Sequence, residues 1–170
     1  ALALSPADTL RAQDKKDTKK KAQPKVDPKT FIPDMATRKR ITDKTEELRK
    51  AVAALKAKKI PDDVLIEVEI YLKAAENIVR FEEWLNANSI KWTFTTLEQG
   101  LARAKQAEGG KAVWRDAPGK WVVRAYRSRV DDSIQPYAVL LPADYGKDPK
   151  KKWRLDVGLH GRDGSLTEAK

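Results

Sequence analysis

The chain has no cysteine, one histidine and one methionine in 170 residues. Without cysteine there is no disulfide scaffold, thiol nucleophile or thiolate-bound zinc. A lone histidine excludes a His-rich metal centre, and the residues call for neither a metal nor a cofactor. No apolar run approaches the roughly 18–20 residues of a membrane-spanning helix. Also missing is any Gly-x-Ser-x-Gly sequence, the elbow that presents a nucleophilic serine. The serines Ser5, Ser89, Ser128, Ser133 and Ser165 have no second imidazole to serve them, so no Ser-His-Asp triad can be assembled. Ser165 follows His160 by five residues, but one turn cannot also supply an orienting acid and its own oxyanion donors.

Charge is abundant and unevenly placed. Lys and Arg number 35 against 25 Asp and Glu, a net of +10. Residues 1–60 carry a balance of +9 and residues 61–170 only +1, with all five tryptophans in the nearly neutral part. A nucleic-acid reader carries its basic patch on an ordered surface beside stacking aromatics, so this asymmetry speaks against specific nucleic-acid binding. Residues 11–30 hold seven lysines and one branched apolar side chain, Val26. They cannot bury enough surface to offset their ordering entropy and read as a disordered linker. The opening Ala-Leu-Ala-Leu-Ser-Pro-Ala reads either as the end of a secretory signal peptide or as an arbitrary boundary. The first reading implies a secreted, periplasmic or envelope protein.

Hydrophobic periodicity divides the rest. Ile41, Leu48, Val52 and Leu55 form a helical stripe in a segment of about 20 residues beginning near Thr37. Pro61 breaks it and Asp62 or Asp63 can cap a second helix, about 62–86. The apolar arc of this helix, from Val64 and Leu65 through Tyr71 to Val79 and Leu85, is wide enough for two neighbours. Trp84, Tyr71 and Phe81 are expected in interhelix packing. Residues 90–94 read as an irregular or extended link, with Thr95 or Thr96 capping a short third helix through Ala107. The acidic pairs Glu67/Glu69, Glu82/Glu83 and Asp62/Asp63 read as solvated faces rather than general acid–base pairs.

From Lys111 the period becomes 2. Residues 120–129 and 134–142 read as two strands around Asp131-Asp132-Ser133. Residues 153–159 read as a third, with Trp153, Leu155, Val157 and Leu159 on one face and Arg154 and Asp156 on the other. The expected class is α+β: a helical hairpin or three-helix segment, then a three-stranded antiparallel or mixed sheet. The expected divisions are a Lys-rich tail over 1–35, a helical unit over 36–108 and a β segment over 109–170.

The third strand leads into Leu159-His160-Gly161-Arg162-Asp163-Gly164. Alone, His-Gly-x-x-Gly is equally an ordinary glycine turn. With the preceding hairpin, Leu141-Pro142-Ala143-Asp144-Tyr145 and a Lys-rich loop, residues 120–170 resemble the entry to the catalytic domain of α/β-hydrolases of the esterase and prolyl-oligopeptidase-like kind. The resemblance implies that the backbone N–H of Gly161 or Arg162 is an oxyanion donor. It also implies that His160 is a structural residue of that loop, and that Arg162 can contact an anionic substrate group. The chain would then be the N-terminal part of an exported serine hydrolase of ester or peptide bonds, inactive alone. Its partners would be the substrate and the remainder of its own catalytic domain. One departure is that Arg154 and Asp156 interrupt a strand that this family buries on both faces. The alternative is a non-catalytic α+β interaction module with a basic tail, docking a partner through the wide arc of the second helix.

Overall fold

The computed structural model describes residues 31–159. Three helices, α1 (Met35–Ala57), α2 (Asp62–Arg80) and α3 (Ser89–Glu108), are followed by a 3₁₀ turn, Val113–Arg115. The strands β1 (Trp121–Arg127) and β2 (Ile134–Leu140) complete the order. The α+β class therefore holds.

α1 starts where Asp34 accepts the Thr37 backbone N–H at 2.7 Å, a side-chain N-cap. It ends at Ala57, and Lys59 two residues on takes a left-handed backbone that cannot continue it. Its stripe of Ile41, Thr45, Leu48, Val52 and Leu55 is buried. α2 supplies the centre of the core: Leu65, Ile66, Val68, Ile70, Tyr71, Ala74, Ala75 and Ile78 are all buried. It packs against α1, α3 and both strands, which use most of its wide arc. The helix is shorter than predicted. It stops at Arg80, and Glu82 (φ 51°) turns the chain out of helical geometry. Trp84 and Tyr71 are buried as expected, whereas Phe81, Val79 and Leu85 are exposed.

α3 corrects the sequence reading most. Residues 90–94 are helical, and the helix begins at Ser89 rather than at Thr95 or Thr96. Its buried line is Ser89, Thr93, Leu97, Gly100, Ala104 and Ala107, at spacings of four and three. Apart from Leu97 these residues are small or polar, so hydrophobicity alone does not reveal the stripe. Ser89 and Thr93 are tolerated inside because the Thr93 hydroxyl donates to the Ser89 carbonyl at 2.8 Å. Gly100 lies at the closest approach to the other helices. A Cβ there would lie 2.8 Å from both Leu48 Cδ2 and Tyr71 Cβ.

β1 and β2 form one antiparallel sheet in the register Trp121↔Leu140 through Arg127↔Ile134. The Ser128 N–H donates to the Ser133 carbonyl at 2.8 Å, and Asp131 caps the turn through Ser133. Pro136, which has no N–H to give, sits opposite Ala125. Ala125 and Trp114 belong to the same core cluster as the helices.

The predicted third strand is not formed. Residues 151–159 carry no regular structure, and the described sheet has two strands rather than a hydrolase sheet. Leu155, Val157 and Leu159 are 85%, 74% and 92% exposed. Arg154 pairs with Asp156 at 2.9 Å in solvent. Alternating side chains favour a strand only where a neighbouring ladder satisfies its backbone, and none lies beside this segment among the described residues.

Candidate functional site

His160, Gly161 and Arg162, the predicted oxyanion loop, lie outside the described residues. Ser128 and Ser133 belong to the hairpin turn, where Ser133 Oγ donates to Asp131 Oδ1 at 2.7 Å. Ser89 is buried in α3. Among the described residues there is no imidazole to serve them. Among the described residues no group of three His, Asp or Glu side chains is placed to hold a metal ion. No described helix is long and apolar enough to cross a membrane.

What the fold does bring together is a polar junction between α2 and the hairpin. Glu67 is not on a solvated face: it is 1% exposed. Its Oε2 accepts Trp114 Nε1–H at 2.5 Å and Arg115 Nε–H at 3.2 Å, and its Oε1 accepts Arg124 Nε–H at 2.5 Å. A buried carboxylate is costly unless charged partners meet it and its lone pairs are filled. Here two guanidinium groups and an indole supply both. With both oxygens so engaged, Glu67 is a fastener and not a general base.

The first turn of α2 continues the junction. Arg115 donates to Asp63 Oδ2 at 2.7 Å and to the Asp63 carbonyl at 2.5 Å, while Arg127 donates to Asp62 Oδ1 at 2.9 Å. The acids at this helix N-terminus also meet the positive end of its dipole. The hydrogen bond from Arg115 holds the Asp63 carboxyl below its ordinary value. Burial pulls the Arg115 guanidinium down, but its bonds to Asp63 and Glu67 outweigh that and leave it raised. Lys73 adds a last tie, donating to the Ile134 carbonyl at 2.6 Å.

The hairpin thus sits on α2 and leaves a wedge between α3 and β1. The cleft measures about 290 Å³. One face of α3 lines it through Gln99, Ala102, Arg103 and Gln106, at helical spacings. Tyr71, Trp114, Lys120 and the start of β1 close the other sides. Arg103 is 8% exposed, and its guanidinium carbon stands 4.8 Å from the Tyr71 ring centroid and 5.1 Å from that of Trp114. One of its N–H groups donates to the Glu67 carbonyl at 3.2 Å. Burial lowers the proton affinity of Arg103 and raises the Tyr71 phenol above its usual range.

Neither the junction nor the cleft is singled out by the sequence reading. A signal for Glu67 exists, since it precedes Tyr71, Ala74 and Ile78 by four, seven and eleven residues on the buried stripe of α2. Arg103 carries a weaker one, standing beside Ala104 on the inner side of α3.

No family model, no curated protein and no solved structure matches this chain. The hydrolase resemblance therefore rests on the residues quoted for it.

Proposed function

We propose that the chain is the N-terminal part of an exported serine hydrolase acting on ester or peptide bonds. In this reading α1–α3 form an accessory unit, and β1 and β2 open the catalytic sheet. The segment 153–159 carries the chain to the oxyanion loop at His160, Gly161 and Arg162. The nucleophile, its base and its acid come from further polypeptide, the chain's principal partner. The N–H of Gly161 or Arg162 then donates to the oxygen that becomes negative when the serine attacks the carbonyl, and Gly161 lets the backbone come close. His160 shapes the loop, and the Arg162 side chain reaches an anionic group of the substrate. Export rests on the small apolar residues at the N-terminus.

The observation that carries this reading is the exposed apolar alternation of Leu155, Val157 and Leu159, across a loop from an antiparallel hairpin that ends at Leu140. It is a strand pattern with no sheet beside it among the described residues, and a larger sheet would supply one. The rival reading, a docking module, is motivated by the wide apolar arc of α2 and the charge confined to residues 1–60. Most of that arc is covered by α1, α3 and the hairpin, while Val79, Phe81 and Leu85 at its end are exposed.

The test is made in the full-length product of the gene, with an ester and a peptide anilide as substrates. Arg162→Pro removes one backbone donor and should lower kcat by roughly 10²–10³, with KM raised only for a substrate that carries an anionic group for the lost guanidinium. A full-length protein that no serine-directed fluorophosphonate labels would end the proposal.

A further inference from the structure

The wedge between α3 and β1 has the features of a ligand site independent of any hydrolase chemistry. Arg103 is more than nine-tenths buried and makes no ion pair among the described residues. Glu67 cannot neutralise it in full, because both of its carboxylate oxygens are taken by Trp114, Arg115 and Arg124. A buried charge is costly unless an opposite charge meets it. Of the five N–H donors of this guanidinium, one is engaged among the described residues. Lys120 adds a second cation at the cleft wall, and among the described residues no carboxylate lines it. The cleft is therefore electrostatically incomplete, and an anion completes it.

One further feature narrows the class. Trp121 stands at the wall with 70% of its surface exposed, where an apolar group would cover it. The volume of about 290 Å³ is at the small end of ligand pockets, roughly 300–1,000 Å³. We propose that this cleft binds an organic carboxylate with an apolar side chain, free or as the C-terminal residue of a peptide. The carboxylate meets Arg103 and Lys120, and the side chain lies against Trp121.

The experiment titrates the 170-residue chain by calorimetry with three probes: N-acetylphenylalanine, its neutral carboxamide, and an acetylated tripeptide ending in phenylalanine. The expected result is saturable binding of the first at about 1 mM or tighter, with the carboxamide at least about tenfold weaker. Binding of the tripeptide with similar affinity assigns the site to peptide ends. Its failure beside a binding N-acetylphenylalanine assigns the site to the free compound. Lys120→Ala and Trp121→Ala alter exposed side chains that the core does not need, and each should weaken binding several-fold with an unchanged melting temperature. The proposal is overturned if acid and carboxamide bind alike, if neither acidic probe saturates, or if both variants bind as the parent does. None of these outcomes bears on the hydrolase proposal, which is read from the activity of the full-length protein.

Discussion

Replacing Glu67 by Gln should undock the hairpin from the helices. The side chain keeps its volume, so any effect reports the charge and the lone pairs. The carboxylate accepts three donors, two of them guanidinium N–H groups. An amide offers one acceptor oxygen and turns its own N–H₂ toward one of those donors. Removing one partner of a buried pair costs about 3–5 kcal/mol. Water still reaches Arg115 and Arg124, each 24% exposed, and Arg115 keeps Asp63. The lower end, about 3 kcal/mol, is therefore expected, near 10 °C in melting temperature for a unit of this size. Urea unfolding followed by tryptophan fluorescence measures it, because Trp114 is itself a partner in the junction. Hydrogen exchange locates it, and β1 amides should lose protection before those of α1. The double variant Glu67→Leu with Arg124→Leu should be less unstable than the sum of its parts, since removing both partners orphans less charge. A Glu67→Gln cost under about 1 kcal/mol would refute the view that this carboxylate fastens the fold.

Gly100→Ala should destabilise by about 1–2 kcal/mol even though alanine is the better helix former by about 1 kcal/mol. The new methyl would meet Tyr71 Cβ at 2.8 Å, and that atom, unlike the tip of Leu48, cannot swing away; thermal melts give the sign. The acid limb of stability should depend on Asp63. Its folded-state value lies below the ordinary 3.8 because of Arg115, so the unfolded chain binds that proton more tightly. The contribution is complete above 3.8 and disappears as pH falls through the lowered value. Asp63→Asn should make the acid-side decline in urea midpoint shallower. An unchanged slope would show that Arg115 and Asp63 are not coupled.

The helices were legible because burial on one side writes a period near 3.6, as in Ile41, Leu48, Val52 and Leu55 on α1. The start of α3 was not, because its inner line is built from Ser89, Thr93 and Gly100. Small residues there are selected by how closely α1 and α2 approach, and that distance is a property of the assembled helices. The end of α2 was misplaced for a similar reason. Leu85 continues the apolar pattern, but Glu82 takes a left-handed backbone that no periodicity announces.

By itself the sequence determined the α+β division, the three amphipathic segments, the β1–β2 hairpin and the concentration of positive charge in the first 60 residues. These follow from local spacing and composition, which act over a few residues at a time. Tertiary structure alone decided that Glu67 is buried, that Arg103 borders a cleft with no carboxylate partner among the described residues, and that residues 153–159 have no ladder to join among them. Each depends on groups distant in the chain. A carboxylate is tolerated inside only when residues 47 and 57 positions away arrive to meet it, and an alternating segment becomes a strand only when another strand lies beside it.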